Sequence, residues 1–138
     1  MSVAPAATPC ALLVEDDHDV ADLLRHHLES FGYTVVHAAT GEAAVDELPR
    51  LDLDLAIVDI KLPGLDGHGV ITALRDSAPH VDCPVVIASI VDEGDRHDHA
   101  DAVLTKPFGK RELRAAIERA EHRARSLATT RSSSEDAS

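Results

Sequence analysis

Five short apolar runs punctuate the chain, and each stops at a polar or charged residue. Residues 10–14 run into Glu15, Asp16 and Asp17, residues 33–38 are rich in β-formers, and residues 53–57 lead through Val58 to Asp59. Residues 85–87 lead to Ser89, and residues 102–105 precede Lys106 and Pro107. Mostly uninterrupted runs of this length fit strands buried on both faces. Between them the period changes to that of a helix. Val20, Leu23, Leu24, His27, Leu28 and Phe31 recur at helical spacing, with Asp17 or Asp19 able to cap the start and Gly32 able to supply a left-handed stop. Thr40 opens a second helical stretch through Leu48 that Pro49 ends. Pro63, Gly64 and Gly67 mark a loop, and a third helix follows over residues 68–75 before Pro79. The last helix carries Leu113, Ala116, Ile117 and Ala120 as its apolar stripe. Strands alternating with amphipathic helices predict an α/β domain: a doubly wound, five-stranded parallel sheet with helices on both faces.

The 138 residues accommodate one core and not two. Residues 1–9 are Ala, Pro and Thr without a period and read as a flexible lead, and residues 10–123 form the domain. From residue 124 the period fades and Ser and Thr accumulate, so a disordered tail is expected over 124–138.

Composition narrows the function. Lys and Arg number 13 against 25 Asp and Glu, a formal net charge of −12, which a phosphate backbone repels, so direct nucleic-acid binding is disfavoured. Phe31, Tyr33 and Phe108 are too few aromatics to build a base-stacking platform. The longest apolar stretches, such as residues 84–91, are of strand length, and the start lacks a charged segment followed by an apolar run. No membrane insertion and a cytoplasmic location are therefore expected. Cys10 and Cys83 each open an apolar run and read as small buried thiols, not as a disulfide.

In an open α/β sheet, ligands gather beyond the carboxyl ends of the strands. Those ends deliver Glu15, Asp16, Asp59, Ser89 and Lys106. One acid after an apolar strand is more often a helix cap or a solvated loop residue. Three carboxylates converging on one crevice are different, because they repel one another unless a cation sits among them. An all-oxygen donor set favours Mg²⁺, which keeps several waters and so invites phosphate. With Lys106 as a point charge and the Ser89 hydroxyl as a donor, the parts suit phosphoryl transfer. His97, Asp98 and His99, and the pair His26 and His27, lack further ligand spacing and read as solvated residues, not as a transition-metal site.

The order Leu13, Val14, Glu15, Asp16, then Asp59, Ile60, Lys61, Leu62, Pro63, Gly64, Leu65, Asp66, Gly67, then Ser89, then Lys106, Pro107, Phe108 resembles the receiver domain of bacterial two-component response regulators over residues 10–123. The resemblance implies the flavodoxin-like receiver fold, with Asp59 as phosphoacceptor attacking a phosphohistidine to form an acyl phosphate. It implies Mg²⁺ held by Asp16, Asp59 and the backbone carbonyl of Lys61, with Glu15 acting mainly through metal-bound water. It implies Ser89 and Lys106 as the groups that engage the phosphoryl oxygens, Lys106 being held by a cis bond to Pro107. Asp66 and Gly67 match the loop turn. The partners implied are a sensor histidine kinase or histidine phosphotransfer protein and a downstream output protein, and the chain is expected to act alone as a single-domain regulator. It is expected to be modified on Asp59 and not to turn over an external substrate.

Three departures from the family pattern matter. Val103 stands where most receivers place a switching Tyr or Phe, and Ile90 follows Ser89 where a small residue is usual. Lys106 follows Ser89 by only 17 residues, so the helix between the fourth and fifth strands is expected to be short, irregular or missing, and the acidic and polar loop there to be mobile. The Lys61 side chain, beside the expected phosphate, is a candidate influence on acyl-phosphate lifetime. These departures keep open an alternative, a receiver-like interaction module that works without phosphorylation. A haloacid dehalogenase-type phosphohydrolase also uses a strand-end Asp with Mg²⁺, but it carries a second Asp two residues on, where this chain has Lys61.

Overall fold

The computed structural model describes residues 8–77, 80–90 and 99–136. Five strands, β1 (Cys10–Val14), β2 (Thr34–Ala38), β3 (Leu55–Asp59), β4 (Val85–Ser89) and β5 (Ala102–Thr105), form one sheet in the order β2-β1-β3-β4-β5. Every pairing is parallel. Among the described residues four α-helices accompany them, α1 (His18–Ser30), α2 (Gly41–Glu47), α3 (Gly67–Asp76) and α4 (Lys110–Asp136), with a 3-10 turn at Leu48–Arg50. This is the doubly wound α/β architecture that the apolar runs predicted.

Strand side chains alternate between two cores. Leu12, Val14, Ala56, Val58, Val85 and Ile87 point to the face covered by α2 and α3, which contribute Ala44, Val70, Ile71 and Leu74. Ala11, Leu13, Leu55, Ile57, Val86, Ala88 and Leu104 point to the other face, covered by α1 and α4 through Leu24, Leu28, Leu113, Ala116 and Ala120. Both faces of β1, β3 and β4 are thus dry, which is why their sequences are apolar at consecutive positions instead of at alternate ones.

Helix starts are fixed by side-chain caps. Asp17 accepts from the N–H groups of Asp19 and Val20 (3.0 and 3.2 Å), which settles the choice between the two aspartates. Thr40 accepts from Ala43 (3.1 Å), and Asp66, expected only as a loop residue, accepts from Gly69 (3.1 Å) and so caps α3. Pro49 lies within the 3-10 turn after α2, so the second helix ends one residue earlier than Leu48.

The expected disordered tail is corrected by α4, which continues through residue 124 to Asp136. Ala124 is still buried, and Leu127 prolongs the spacing of Leu113, Ile117 and Ala120 by one more turn. Extension of a nucleated helix is far cheaper than nucleation, so the Ser-rich end follows the Ala- and Arg-rich turns before it. Expectations for the helix between β4 and β5, the mobile loop there and the His97, Asp98 segment fall on residues 91–98, outside the described residues. Val103 is 38% exposed, on the face of β5 opposite to Ala102 and Leu104. No described helix is long and apolar enough to cross a membrane. Cys10 is half-buried and Cys83 buried, and both are free thiols.

The amino ends of the strands are tied by polar side chains. Arg75, near the end of α3, donates to the carbonyls of His99 (Nε 3.0 Å, Nη2 2.7 Å), Val81 (3.0 Å) and Cys83 (2.7 Å), and to the Asp101 carboxylate (2.9 Å). Asp101 also accepts from the Val85 N–H (2.9 Å). His80, fully buried, donates from Nε2 to the Leu51 carbonyl (2.8 Å) and accepts at Nδ1 from the Ser77 hydroxyl (3.1 Å).

Candidate functional site

The carboxyl ends of β1, β3, β4 and β5 open into one cavity of about 230 Å³, lined by Glu15, Asp16, Asp17, Asp59, Lys61, Ser89, Ile90 and Lys106. Each residue arrives because its strand stops there. β1 ends at Val14 and delivers Glu15, whose N–H still donates to the Ala38 carbonyl (3.1 Å) as though the strand ran one residue further. Asp59 and Ser89 are the last residues of β3 and β4. Lys106 follows β5, and its N–H donates to the Ser89 carbonyl (2.6 Å), which extends the β4–β5 ladder into the site.

Glu15, Asp16 and Asp59 each place a carboxylate oxygen within 4.8 Å of the others. Glu15 is 1% exposed and Asp59 8%, whereas Asp16 is open to solvent. Lys106 lies between the two buried acids, with Nζ 2.9 Å from Glu15 Oε2 and 3.6 Å from Asp59 Oδ2. Its first partner is therefore Glu15. Asp59 Oδ1 accepts from the Lys61 N–H (3.1 Å), and Glu15 Oε1 accepts from the Asp17 N–H (3.3 Å). Burial pushes the Glu15 carboxyl above its ordinary value, the hydrogen bond from Lys106 opposes that, and the charge of Asp59 adds to it. Two buried acids and one amine leave excess negative charge, which a small divalent cation would neutralise. The donor set is all oxygen, as Mg²⁺ requires, and the exposed edge at Asp16 leaves room for bound water.

The loop after Asp59 runs tightly against the strand end. At Gly67 a Cβ would stand 2.7 Å from the Ile60 Cα and would overlap the Asp59 carbonyl, so only glycine lets α3 begin there. Lys61 is exposed and borders the cavity. The Lys106–Pro107 bond is cis. Ile90, 64% exposed, stands at the cavity mouth and also lines a neighbouring apolar recess of about 330 Å³ with Val20, Leu23, Pro107 and Phe108.

All six residues singled out in the sequence, Glu15, Asp16, Asp59, Lys61, Ser89 and Lys106, line this one cavity. Sequence reasoning missed two supports. His37 donates from Nε2 to the Glu15 carbonyl (2.8 Å), and Glu42 at the start of α2 accepts from the Leu65 N–H in the loop after Asp59. A histidine inside an otherwise apolar β2 run was the available signal for the first, and a glutamate just after a capping threonine carries none of its own for the second.

The family model for the response regulator receiver domain matches residues 11–118. A transcriptional regulatory protein of Bacillus subtilis, YcbL, is 34% identical over 119 residues, which cover 82% of this chain and 51% of that protein. The regulatory protein VanR of Enterococcus faecium is 34% identical over 111 residues, covering 77% and 47%. This chain thus spans about half the length of the curated relatives it matches. Among solved structures, the receiver domain of the sensor histidine kinase PA1611 from Pseudomonas aeruginosa, with a magnesium ion coordinated in its active-site cleft, aligns with a TM-score of 0.76 and 29% identity over 84% of this chain and 99% of that one. The chemotaxis protein CheY4 of Vibrio cholerae shares the fold, with a TM-score of 0.77 at 24% identity over 83% of this chain and 99% of that one.

Proposed function

The chain belongs to the response regulator receiver domain family, a family of signalling modules, and from that premise we propose that it takes a phosphoryl group onto Asp59 from a phosphohistidine in a Mg²⁺-dependent reaction and thereby switches a protein-interaction surface. The observation that carries this reading is the single cavity in which Asp59 meets two further carboxylates, a lysine and a serine. An Asp59 carboxylate oxygen forms the new O–P bond as the P–N bond to the donor imidazole breaks, and the electron pair of that bond returns to the imidazole. Asp16, Asp59 and the Lys61 carbonyl would hold Mg²⁺, with Glu15 acting mainly through metal-bound water, and the ion would supply neutralising charge for the phosphoryl oxygens. Lys106, 3.6 Å from Asp59, is placed to pair with a phosphoryl oxygen once the group is attached, and Ser89 supplies a hydroxyl to another.

The donor is a sensor histidine kinase or a histidine phosphotransfer protein, and the receiver of the signal is an output protein in the cytoplasm. Neither the acidic charge of the chain nor its few aromatics suit a nucleic acid as direct partner. Intact mass after incubation with acetyl phosphate tests the reading. Gain of one phosphoryl group with Mg²⁺, and none when the metal is chelated, is the expected result. No gain in folded protein, from acetyl phosphate or from kinases, would leave the phosphorylation-independent module as the better account.

A pH effect follows from the buried Glu15. A carboxyl whose folded pKa lies above its unfolded one stabilises the fold fully below the unfolded value, and this contribution is lost as pH rises through the folded value. For Glu15 the shift is upward. The metal-free protein therefore loses this contribution as pH rises from below the unfolded value through the folded one, and Mg²⁺, which favours the ionised form, would offset the loss. Thermal melts with and without Mg²⁺ are expected to differ more at neutral pH than in mild acid, approaching about 2.7 kcal/mol at a hundredfold excess over the dissociation constant. An equal shift at both pH values would remove Glu15 from the metal site.

A further inference from the structure

The geometry points to Glu42 as a positioning residue for the metal site: through Leu65 it fixes the loop that presents the Lys61 carbonyl. This inference rests on the Mg²⁺ reading above. The loop between Asp59 and α3 must hold one main-chain oxygen in place, yet its own polar side chains do not brace it. Lys61 is exposed, and Asp66 is used as the cap of α3. Bracing comes from outside the loop. Glu42, in the first turn of α2, accepts from the Leu65 N–H with Oε1 at 2.5 Å, across 23 residues of sequence.

Three further contacts show that the approach is built in. Gly64 has φ +74°, and a Cβ on it would stand 2.6 Å from Glu42 Oε1 and 3.1 Å from Oε2, so the carboxylate lies directly against the Gly64 backbone. A Cβ at Gly41 would run into the Leu65 carbonyl, so the start of α2 sits on the same residue that Glu42 holds. The Leu65 side chain lies against Gly69, in the first turn of α3. Leu65 is thus gripped by α2 on its main chain and by α3 on its side chain. Four residues before it, Lys61 turns its N–H to Asp59 Oδ1 (3.1 Å). Loss of the Glu42 bond frees the Leu65 amide, while the start of the loop stays held by the Lys61 N–H on Asp59, by the Gly67 N–H on the Ile60 carbonyl (3.0 Å) and by the burial of Ile60 and Leu62.

Groups that orient metal ligands from outside the first layer typically change metal affinity by about 10- to 100-fold. Glu42 acts from further away, through the main chain, and about a threefold to tenfold weakening is expected for Glu42→Ala. Glu42→Gln keeps an acceptor oxygen in the same place and is expected to restore binding. The experiment titrates Mg²⁺ alone into wild type, Glu42→Ala and Glu42→Gln by NMR, and reads hydrogen exchange of the Leu65 amide in the same samples. In Glu42→Ala, faster Leu65 exchange together with weaker Mg²⁺ binding is expected, both returning in Glu42→Gln. With acetyl phosphate, Glu42→Ala should need more Mg²⁺ for half-maximal phosphorylation yet reach the wild-type rate at saturation.

Unchanged Mg²⁺ affinity in Glu42→Ala, or unchanged Leu65 exchange, overturns the inference. So does a loss that Gln fails to restore. A wild type that binds no Mg²⁺ overturns this inference and the metal reading together, whereas one that binds Mg²⁺ but takes up no phosphoryl group overturns the phosphorylation reading alone.

Discussion

Asp59→Asn is expected to take up no phosphoryl group under any condition in which the wild type does, while folding normally and melting at a higher temperature without metal. The loss is complete because the amide oxygen of asparagine lacks the negative charge that makes a carboxylate oxygen a nucleophile, and the neighbouring acids do not substitute for it. Glu15 is held by Lys106 at 2.9 Å and by the Asp17 N–H, and Asp16 sits at the exposed edge. The gain in stability has a separate origin. Asp59 is one of three carboxylates within 4.8 Å of one another, and its charge helps to raise the Glu15 carboxyl. Removing that charge keeps the shape and the Lys61 N–H bond to the side-chain oxygen, and Lys106 keeps its closer partner Glu15. A gain of about 1 kcal/mol is expected for the metal-free protein, with a smaller shift on adding Mg²⁺. Intact mass reads the first effect and thermal melting the second. A phosphoryl group on Asp59→Asn would place the acceptor elsewhere, and a lower melting temperature would refute the account of charge crowding.

Arg75→Ala is expected to have the largest effect on stability, a loss of about 3–5 kcal/mol in urea unfolding. Arg75 donates to three main-chain carbonyls and to Asp101, whose carboxylate is almost wholly buried. Truncation leaves the carbonyls of Val81, Cys83 and His99 without this donor and leaves a buried charge with the Val85 N–H and the more distant Arg123, 3.8 Å away. Arg75→Lys should recover only part of the loss, because one ammonium group cannot reproduce donors spread over a planar fork. These ties lie at the amino ends of β4 and β5, and the cavity around Asp59 lies at the carboxyl ends. Any Arg75→Ala protein that remains folded at low temperature is therefore expected to be phosphorylated normally. A loss under 1 kcal/mol would show that water replaces the guanidinium at little cost.

The two predictions draw on different depths of the sequence. Asp59 was legible because a strand buried on both faces cannot hide its end: residues 55–58 are apolar, and the first carboxylate after them marks where the sheet meets solvent. The same logic read Glu15, Ser89 and Lys106 from their strands, and the order of the motifs supplied the family. Arg75 and Asp101 were not legible, since they are 26 residues apart and each taken alone is an ordinary charge near the end of an element. Nor did the sequence indicate that Lys106 pairs first with Glu15, because the difference between 2.9 and 3.6 Å depends on how four strands twist against one another. The tail was misread for a different reason. Serine and threonine are weak helix formers, and their density after residue 124 outweighed the Ala124 and Leu127 positions that carry the apolar stripe one turn onward. Local composition describes a segment in isolation, whereas α4 begins 14 residues earlier on a packed face.

The length of α4 changes what motion at its base can do. Ala124 is its last buried residue among those whose burial is described, and the helix continues to Asp136, about 18 Å further at the rise of an α-helix. A rod clamped along one half and projecting along the other is a lever. Its packed end begins at Lys110, four residues after Lys106, and a tilt of about 10° about Ala124 would carry the far tip through about 3 Å, given an arm of that length. A small tilt of the packed half would thus be read out as a larger displacement at the far end of the helix.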